Sequence, residues 1–181
     1  MKKLLVAVAL VMFAFSANAQ LKIGVGGGVA LPMGDFGDGF KMGFGGGAAG
    51  KYMLNEKLAL GLNLGYYSFT AKDEAGGSDV KFSIMPITAL VNFYFATEGF
   101  KPYVGADLGF YACKSKVSVL GMDVSATATK LGFAPTLGFE YGFSDKMGLD
   151  VNAKYHYITT EGSSTSYVGI NLGLVFTLGG K

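Results

Sequence analysis

The sequence predicts an all-β protein: an eight-stranded antiparallel up-and-down β-barrel that crosses a membrane with its strands. Three observations predict this fold class. Apolar residues recur at every second position in eight separate runs, which is the period of a β-strand. Long polar connections alternate with short turns between the runs. Within the runs, charged residues share one face with glycines, and bulky apolar residues occupy the other face.

The eight runs follow one another along the chain from residue 21. None approaches the roughly 18 uninterrupted apolar residues of a membrane-spanning helix, and none has helical spacing. Alternation is clearest in the last run, where Ile170 and Leu172 flank Asn171. The predicted strands are Leu21–Leu31, Met42–Met53, Leu58–Phe69, Val80–Phe95, Tyr103–Ala112, Lys130–Phe143, Met147–Ile158 and Tyr167–Leu178.

The connections between the runs differ regularly in length. LPMGDFGDGF, AKDEAGGSD, CKSKVSVLGMDVSATAT and TTEGSSTS are long and polar, whereas LNEK, ATEGFK and SDK are short. In an up-and-down barrel this alternation collects the long loops at one end and the short turns at the other. Outer-membrane barrels have long outside loops and short periplasmic turns, so both termini of the predicted barrel domain, residues 20–181, are expected in the periplasm.

The two faces of the runs predict which side meets lipid. In Tyr103–Ala112, the bulky residues Leu108 and Phe110 lie opposite Asp107 and two glycines. Small residues suit the crowded interior of a narrow barrel, so the face that carries glycines and charges is the inner one and the apolar face is the outer one. A soluble lipocalin-like barrel, which is the alternative architecture, requires the reverse arrangement.

Residues 1–19 have the layout of a secretory signal peptide. Met1–Lys3 is basic, Leu4–Phe15 is apolar, and Ala-Asn-Ala precedes Gln20. Cleavage after Ala19 would remove two of the 15 basic residues and leave them equal in number to the 13 acidic ones. This balance argues against a nucleic-acid partner. The single cysteine, Cys113, rules out an internal disulfide.

Polar residues on the inner face form the candidate site. Glu140 and Asp150 lie opposite each other if the sixth and seventh strands form a hairpin over SDK, and like charges in that position repel. A lysine is therefore expected between them. Lys154, Lys51 and Lys22 are the three candidates, and His156 is expected at the outer end of the set. The predicted lumen network comprises Lys22, Lys51, Asp107, Glu140, Asp150, Lys154, His156, Asn63, Asn92, Asn152 and Asn171.

Pro86 interrupts the fourth run. Phe82 and Ile84 before it and Ile87 after it are all apolar, and assigning them to the outer face requires a change of parity. A β-bulge is therefore predicted near Met85 and Pro86, where proline is tolerated in strands.

Aromatic residues near the ends of the runs fit the girdles that flank the apolar band of a membrane barrel. The residues assigned to these girdles are Tyr52, Tyr66, Tyr67, Phe93, Phe95, Tyr103, Phe143, Tyr157 and Tyr167.

Together these patterns resemble the small outer-membrane β-barrel family of Gram-negative bacteria, which contains the OmpA transmembrane domain and OmpX-like proteins. The resemblance rests on the signal peptide, the eight amphipathic runs, and segments such as PYVGADLGFYA and LDVNAKYHY. It implies a place in the cell outer membrane, contact with outer-membrane lipids including lipopolysaccharide, and delivery by periplasmic chaperones and the barrel-assembly machinery. Such barrels usually end on an aromatic residue, whereas Phe176 is followed here by TLGGK.

The sequence leaves three functions open. The first is a non-enzymatic structural or surface-interaction role, with a lumen filled by polar side chains and ion pairs and an unknown extracellular ligand at the outside loops. The second is a narrow porin-like channel for water, ions or small solutes. The third is a lipid-modifying enzyme. The lipid A deacylases that share this barrel have a serine two residues after the histidine, and Ile158 takes that position after His156.

No catalytic, metal-binding or cofactor-binding residue is predicted. Gly45, Gly47 and Gly50 have the spacing of a dinucleotide-binding loop, but they lie within a strand rather than before a helix. A lone histidine without a second ligand is a poor metal site.

Overall fold

The computed structural model describes residues 20–72, 79–119, 122–160 and 163–179, and within these ranges the chain is a closed barrel of eight antiparallel strands in sequential order. This confirms the predicted fold class. A short helix, α1 (Gly34–Gly39), follows the first strand. The expected signal peptide, residues 1–19, lies outside the described residues. The strands are β1 (Leu21–Met33), β2 (Gly43–Met53), β3 (Leu58–Thr70), β4 (Asp79–Tyr94), β5 (Phe100–Val119), β6 (Met122–Gly142), β7 (Met147–Thr160) and β8 (Ser163–Leu178).

The barrel has two different ends. The turns 54–57, 95–99 and 143–146 lie at one of them, named here the short-turn end, where β1 begins and β8 stops. Asn55 shapes the first turn, because its side-chain oxygen accepts hydrogen bonds from the backbone N–H groups of Lys57 and Leu58 at 2.9 Å. Gly99 has a φ of 59°, which glycine adopts without strain. The opposite end is named the long-loop end.

Two predicted loops are largely strand. β5 and β6 pair in one register from Phe100 and Tyr141 to Val119 and Met122, so most of 113–129 extends the sheet. β4 accompanies β5 as far as Ser118, whereas β6 runs beyond its pairing with β7. β7 and β8 likewise pair up to Thr160 and Ser163 within the predicted loop 159–166. These two segments are rich in serine, threonine and alanine. They therefore lack the clear alternation of apolar and polar residues by which a membrane-spanning strand is recognised in a sequence. Most of the predicted loop 71–79 lies outside the described residues.

The predicted bulge at Pro86 is wrong. β4 keeps one register with β3 on both sides of the proline, from Leu64 paired with Ile87 to Tyr67 paired with Ile84. Pro86 has no N–H to donate, so the ladder is interrupted beside it without an added residue. Ile84 is completely buried and belongs to an apolar cluster inside the barrel that Phe82 packs against. Hydrophobicity therefore does not mark the outer face at this end of the strand.

The outer surface is apolar. Leu62, Leu108 and Leu137 are each more than 60% exposed, namely 69%, 66% and 63%. Such a surface is stable only against lipid. No helix in the described ranges is long and apolar enough to cross a membrane.

Glycines let the strands approach closely where β8, β1 and β2 meet. Gly26, Gly27 and Gly28 pair directly with Gly47, Gly46 and Gly45. A side chain at Gly28 would overlap the carbonyl oxygen of Ile170 in β8, whereas a Cβ at Gly24 would lie 3.7 Å from its nearest neighbour, a methyl group of Val175.

We therefore expect Gly28→Ala to lower the free energy of unfolding by about 1–3 kcal/mol, the usual cost of overpacking. Gly24→Ala is the matched control on the same strand and face, and it should be neutral or slightly stabilising. Urea unfolding in lipid vesicles, followed by the heat-dependent gel shift of the folded barrel, measures both variants. Equal midpoints for the two would show that β8 moves aside at no cost.

Candidate functional site

Four charged side chains form a buried cluster in the short-turn half of the lumen, named here the ion network: Lys22, Lys51, Glu140 and Asp150. The Lys51 ammonium lies 2.8 Å from Glu140 Oε1 and 2.9 Å from Asp150 Oδ2. Lys22 lies 2.7 Å from the second oxygen of Glu140. Glu140 and Asp150 are direct cross-strand partners on β6 and β7. Lys51 is therefore the lysine that separates these two like charges.

Two tyrosines form hydrogen bonds with the carboxylates of the ion network. The Tyr94 hydroxyl donates to Glu140 at 2.6 Å, and the Tyr103 hydroxyl donates to Asp150 at 3.1 Å. The ammonium groups of Lys22 and Lys51 each lie 5.1 Å from the centroid of one of these rings, within cation–π range. Because every charge has a partner of opposite sign and both carboxylates accept further hydrogen bonds, the desolvation cost of burying these ions is offset.

The girdle position predicted for Tyr103 is wrong, and so are those of Tyr67 and Tyr167, since all three are buried inside the barrel. Tyr94 was predicted neither as a girdle residue nor as part of the lumen network. The alternation of β5 could have identified Tyr103 as a lumenal residue, because it lies on the same face of the strand as Asp107. Tyr66, Phe93, Phe95 and Phe143 are exposed on the outer surface near strand ends, as girdle residues are.

A second buried ion pair lies further along the lumen. Lys154 on β7 lies 2.7 Å from Asp107 on β5. The hydroxyls of Thr88 and Thr136 donate to the two oxygens of Asp107 at 3.2 and 3.4 Å. Asn63 donates to the Thr88 hydroxyl at 3.4 Å. Asp107 of β5 is thus held by groups from β4, β6 and β7.

A chain of amide and hydroxyl groups runs from the ion network toward the long-loop end. Asn152 donates to Asp150 at 2.5 Å, Asn171 donates to Asn152 at 3.1 Å, and the Tyr67 hydroxyl donates to Asn171 at 2.7 Å. The remaining predicted asparagine, Asn92, is also buried. All eleven residues of the predicted network therefore lie on the lumenal side.

His156 marks the outer limit of the polar lumen. Its ring stacks on Tyr167 with centroids 4.3 Å apart, and its Nδ1 lies 3.0 Å from the Tyr111 hydroxyl. Ile158, two residues further on, is fully buried and begins the apolar region. The His156 ring is thus stacked against Tyr167 of β8 and hydrogen-bonded to Tyr111 of β5.

An apolar cluster closes the long-loop end. Phe36 of α1 points into the barrel, and its ring centroid lies 4.8 Å from Phe40, 5.0 Å from Phe69 and 5.5 Å from Phe82. We call these four rings the aromatic lid. Lys72 helps to hold α1 in place, because its ammonium group donates a hydrogen bond to the Gly37 carbonyl oxygen at 2.5 Å. Beneath the lid lie Ala30, Tyr67, Ile84, Tyr111, Ile158 and Tyr167.

Two cavities lie on either side of the ion network. One of about 80 Å³ lies in the middle of the barrel, and Lys51 and Tyr103 are among its lining residues. The other, of about 610 Å³, opens at the short-turn end and is lined in part by Lys22, Tyr94 and Lys101. The ion network therefore separates a small inner chamber from the mouth of the barrel.

Comparisons with known proteins agree with this architecture. The family model described as outer membrane protein beta-barrel domain matches residues 4–177. An uncharacterized protein of Haemophilus influenzae is 28% identical over 138 residues, covering 70% of each chain.

Among solved structures, Ail of Yersinia pestis superposes with a TM-score of 0.66 at 16% identity, covering 89% of this chain and 99% of Ail. Neisserial surface protein A superposes with a TM-score of 0.59 at 19% identity, covering 88% and 96%. At these identities the two structures support the fold.

Proposed function

Because the chain belongs to the family of outer membrane protein beta-barrel domains, we propose that it acts at the cell surface as a sealed barrel with a structural or surface-interaction role. The chain is located in the cell outer membrane, and its lumen is filled by polar side chains and ion pairs. The double closure of the lumen carries the proposal, with the ion network at one end and the aromatic lid at the other. An eight-stranded barrel has room for little more than side chains.

The refolded chain is therefore expected to give no steady unitary currents in a planar bilayer. Glu140→Gln, which removes one charge of the ion network, should be equally silent, because Tyr94, Lys51 and Lys22 still fill that level of the lumen. The heat-dependent gel shift confirms that each sample is folded. Steady currents that Glu140→Gln changes in size would instead identify a pore with Glu140 on its path.

A narrow channel is the second candidate function. The inner chamber and the mouth cavity favour it, because the two cavities lie on either side of the ion network. An enzymatic role has less support, since His156 is buried among aromatic rings with Ile158 in place of the deacylase serine.

An unpaired strand edge supports the surface-interaction role. β6 pairs with β5 as far as Met122, but within the described residues it pairs with β7 only from Gly132 onward. The side chains from Val124 to Thr129 are exposed. We call residues 122–131 of β6 the open edge. Proteins normally protect such edges, because free N–H and C=O groups accept an added strand.

We propose that the open edge binds an extended polypeptide segment through its backbone groups. Ail, a barrel of similar fold, was solved in complex with the heparin analogue sucrose octasulfate, so ligand binding occurs in another barrel of this shape. A labelled peptide of alternating threonine and valine should bind the folded barrel. The same peptide with alternate amides N-methylated should bind at least tenfold more weakly. Equal binding of both peptides would exclude strand addition.

Other partners follow from the location. We propose that the barrel contacts lipopolysaccharide and that periplasmic chaperones and the barrel-assembly machinery deliver it. β8 ends at Leu178, two residues after Phe176, its last aromatic residue. We propose that Phe176 serves as the terminal aromatic residue that this machinery recognises.

A further inference from the structure

The open edge of β6 lies beyond the lipid-facing band of the barrel. On β6 the outward apolar residues run from Tyr141 to Leu131. At about 3.3 Å per residue and a strand tilt of about 40°, this stretch corresponds to a height of about 25 Å, which is the usual height of the band. The residues before Leu131 therefore project from the membrane at the long-loop end, where the outward side chains are those of Ser125, Thr127 and Thr129.

The stretch from Val124 to Thr129 lacks the usual protection of a free strand edge. Such edges are normally blunted by charged side chains, proline or a β-bulge. The segment VSATAT contains neither a charge nor a proline. It also pairs with β5 residue for residue, without a bulge, and its side chains are exposed. An edge of this kind accepts a further strand.

The open edge is complementary to itself. When two copies pair antiparallel about Ala126, Val124 of each copy lies opposite Ala128 of the other, and Ser125 lies opposite Thr127. Small apolar side chains then meet on the face that continues the lumenal side of β6, and hydroxyl groups meet on the outer face. No charged residue lies within these five positions, so no like charges oppose the pairing.

The tilt of the strands decides where the second copy lies. Two copies in one membrane are related by rotation about the membrane normal, and strands that each tilt by about 40° then cross at about 80°. Neighbouring strands of a sheet differ by only about 20–25°, so these edges cannot form a ladder. Antiparallel pairing needs a two-fold axis perpendicular to the barrel wall, which lies in the plane of the membrane. This axis inverts one copy, so the partner belongs to a facing membrane.

We infer that the open edge pairs with the open edge of a second copy in a facing membrane and so joins two outer-membrane surfaces. The inference rests on the proposed strand addition at the open edge and names its partner. One such pairing buries less area than a stable protein interface needs. Many barrels on each surface act together, however, and multivalency raises the overall affinity.

Clustering of lipid vesicles that carry the refolded barrel, followed by light scattering, tests the inference. Because Ala126 lies on the two-fold axis, Ala126→Lys places two lysines opposite each other, and Ala126→Glu places two carboxylates there. Vesicles with either variant alone should cluster at least tenfold more slowly than vesicles with the unaltered chain. A mixture of the two kinds of vesicle should recover the unaltered rate, because each lysine then meets a glutamate.

Thr97, exposed in a short turn, provides the matched control. Thr97→Lys and Thr97→Glu carry the same charges at the other end of the barrel and should cluster at the unaltered rate. The heat-dependent gel shift confirms folding, and labelling of the exposed Lys114 by a membrane-impermeant reagent confirms that the long-loop end faces outward.

Dispersed vesicles of the unaltered chain would overturn the inference. Ala126 variants that cluster as fast as the unaltered chain would do the same, and so would a mixture of the two variants that stays dispersed. The labelled peptide can still bind the open edge in each of these cases, so strand addition itself is judged separately.

Discussion

Replacing Lys51 with methionine is expected to lower the free energy of unfolding by about 3–5 kcal/mol, the cost of removing one partner from a buried ion pair. Lys51 is the only group of the ion network that touches both carboxylates, and it is 5% exposed. Without it, Glu140 and Asp150 stand opposite each other on neighbouring strands with no cation between them. Methionine keeps most of the length of the side chain, so the loss reports charge rather than volume.

Urea unfolding in lipid vesicles, read by the heat-dependent gel shift, measures this effect. Lys57→Met is the control, because Lys57 is exposed in a short turn and its loss should cost less than about 0.5 kcal/mol. Adding Asp150→Asn to Lys51→Met should restore part of the stability, since Glu140 keeps Lys22 as its partner and Asp150 no longer carries a buried unpaired charge. A single variant as stable as the control would show that water enters and solvates the carboxylates.

Truncating Phe36 to alanine is expected to lower the free energy of lid opening by about 3–5 kcal/mol, as for other buried phenylalanines. Phe36 is 8% exposed and touches the three other rings of the aromatic lid. Its loss leaves α1 held mainly by backbone bonds and by the contact between Lys72 and Gly37. The barrel strands should stay folded, because α1 lies outside their ladders.

Amide hydrogen exchange shows which part of the chain loses stability in this variant. The amides of Phe40 and Lys41, which bond to Phe36 and Thr70, should exchange more than a hundredfold faster in Phe36→Ala. Asp35→Ala on the exposed side of α1 is the matched control and should leave these rates within a few fold. Uniformly faster exchange across the strands as well would mean that the aromatic lid is part of the barrel's cooperative core.

If the lumen is sealed, any partner of the barrel must bind to its outer surfaces. The open edge of β6 lies at the long-loop end and offers backbone groups to an added strand. The peptide-binding experiment therefore tests a role toward extracellular partners.

The sequence alone determined the fold class and the assignment of the faces. The eight period-two runs and the glycines that accompany the charges predict a barrel with a polar interior, and these signals survive because each is local to one strand. The same parity placed Lys22, Asp107 and His156 inside. It also narrowed the lysine between Glu140 and Asp150 to three candidates.

Only the tertiary structure decided which groups meet. Lys51 reaches Glu140 and Asp150 from the far side of the lumen, so the pairing depends on how the barrel closes rather than on spacing along the chain. The aromatic lid formed from a loop that reads as polar, because Phe36 gains its partners on β3 and β4 only after folding. Inside and outside are encoded in each strand, whereas contacts across the lumen arise when the first and last strands pair.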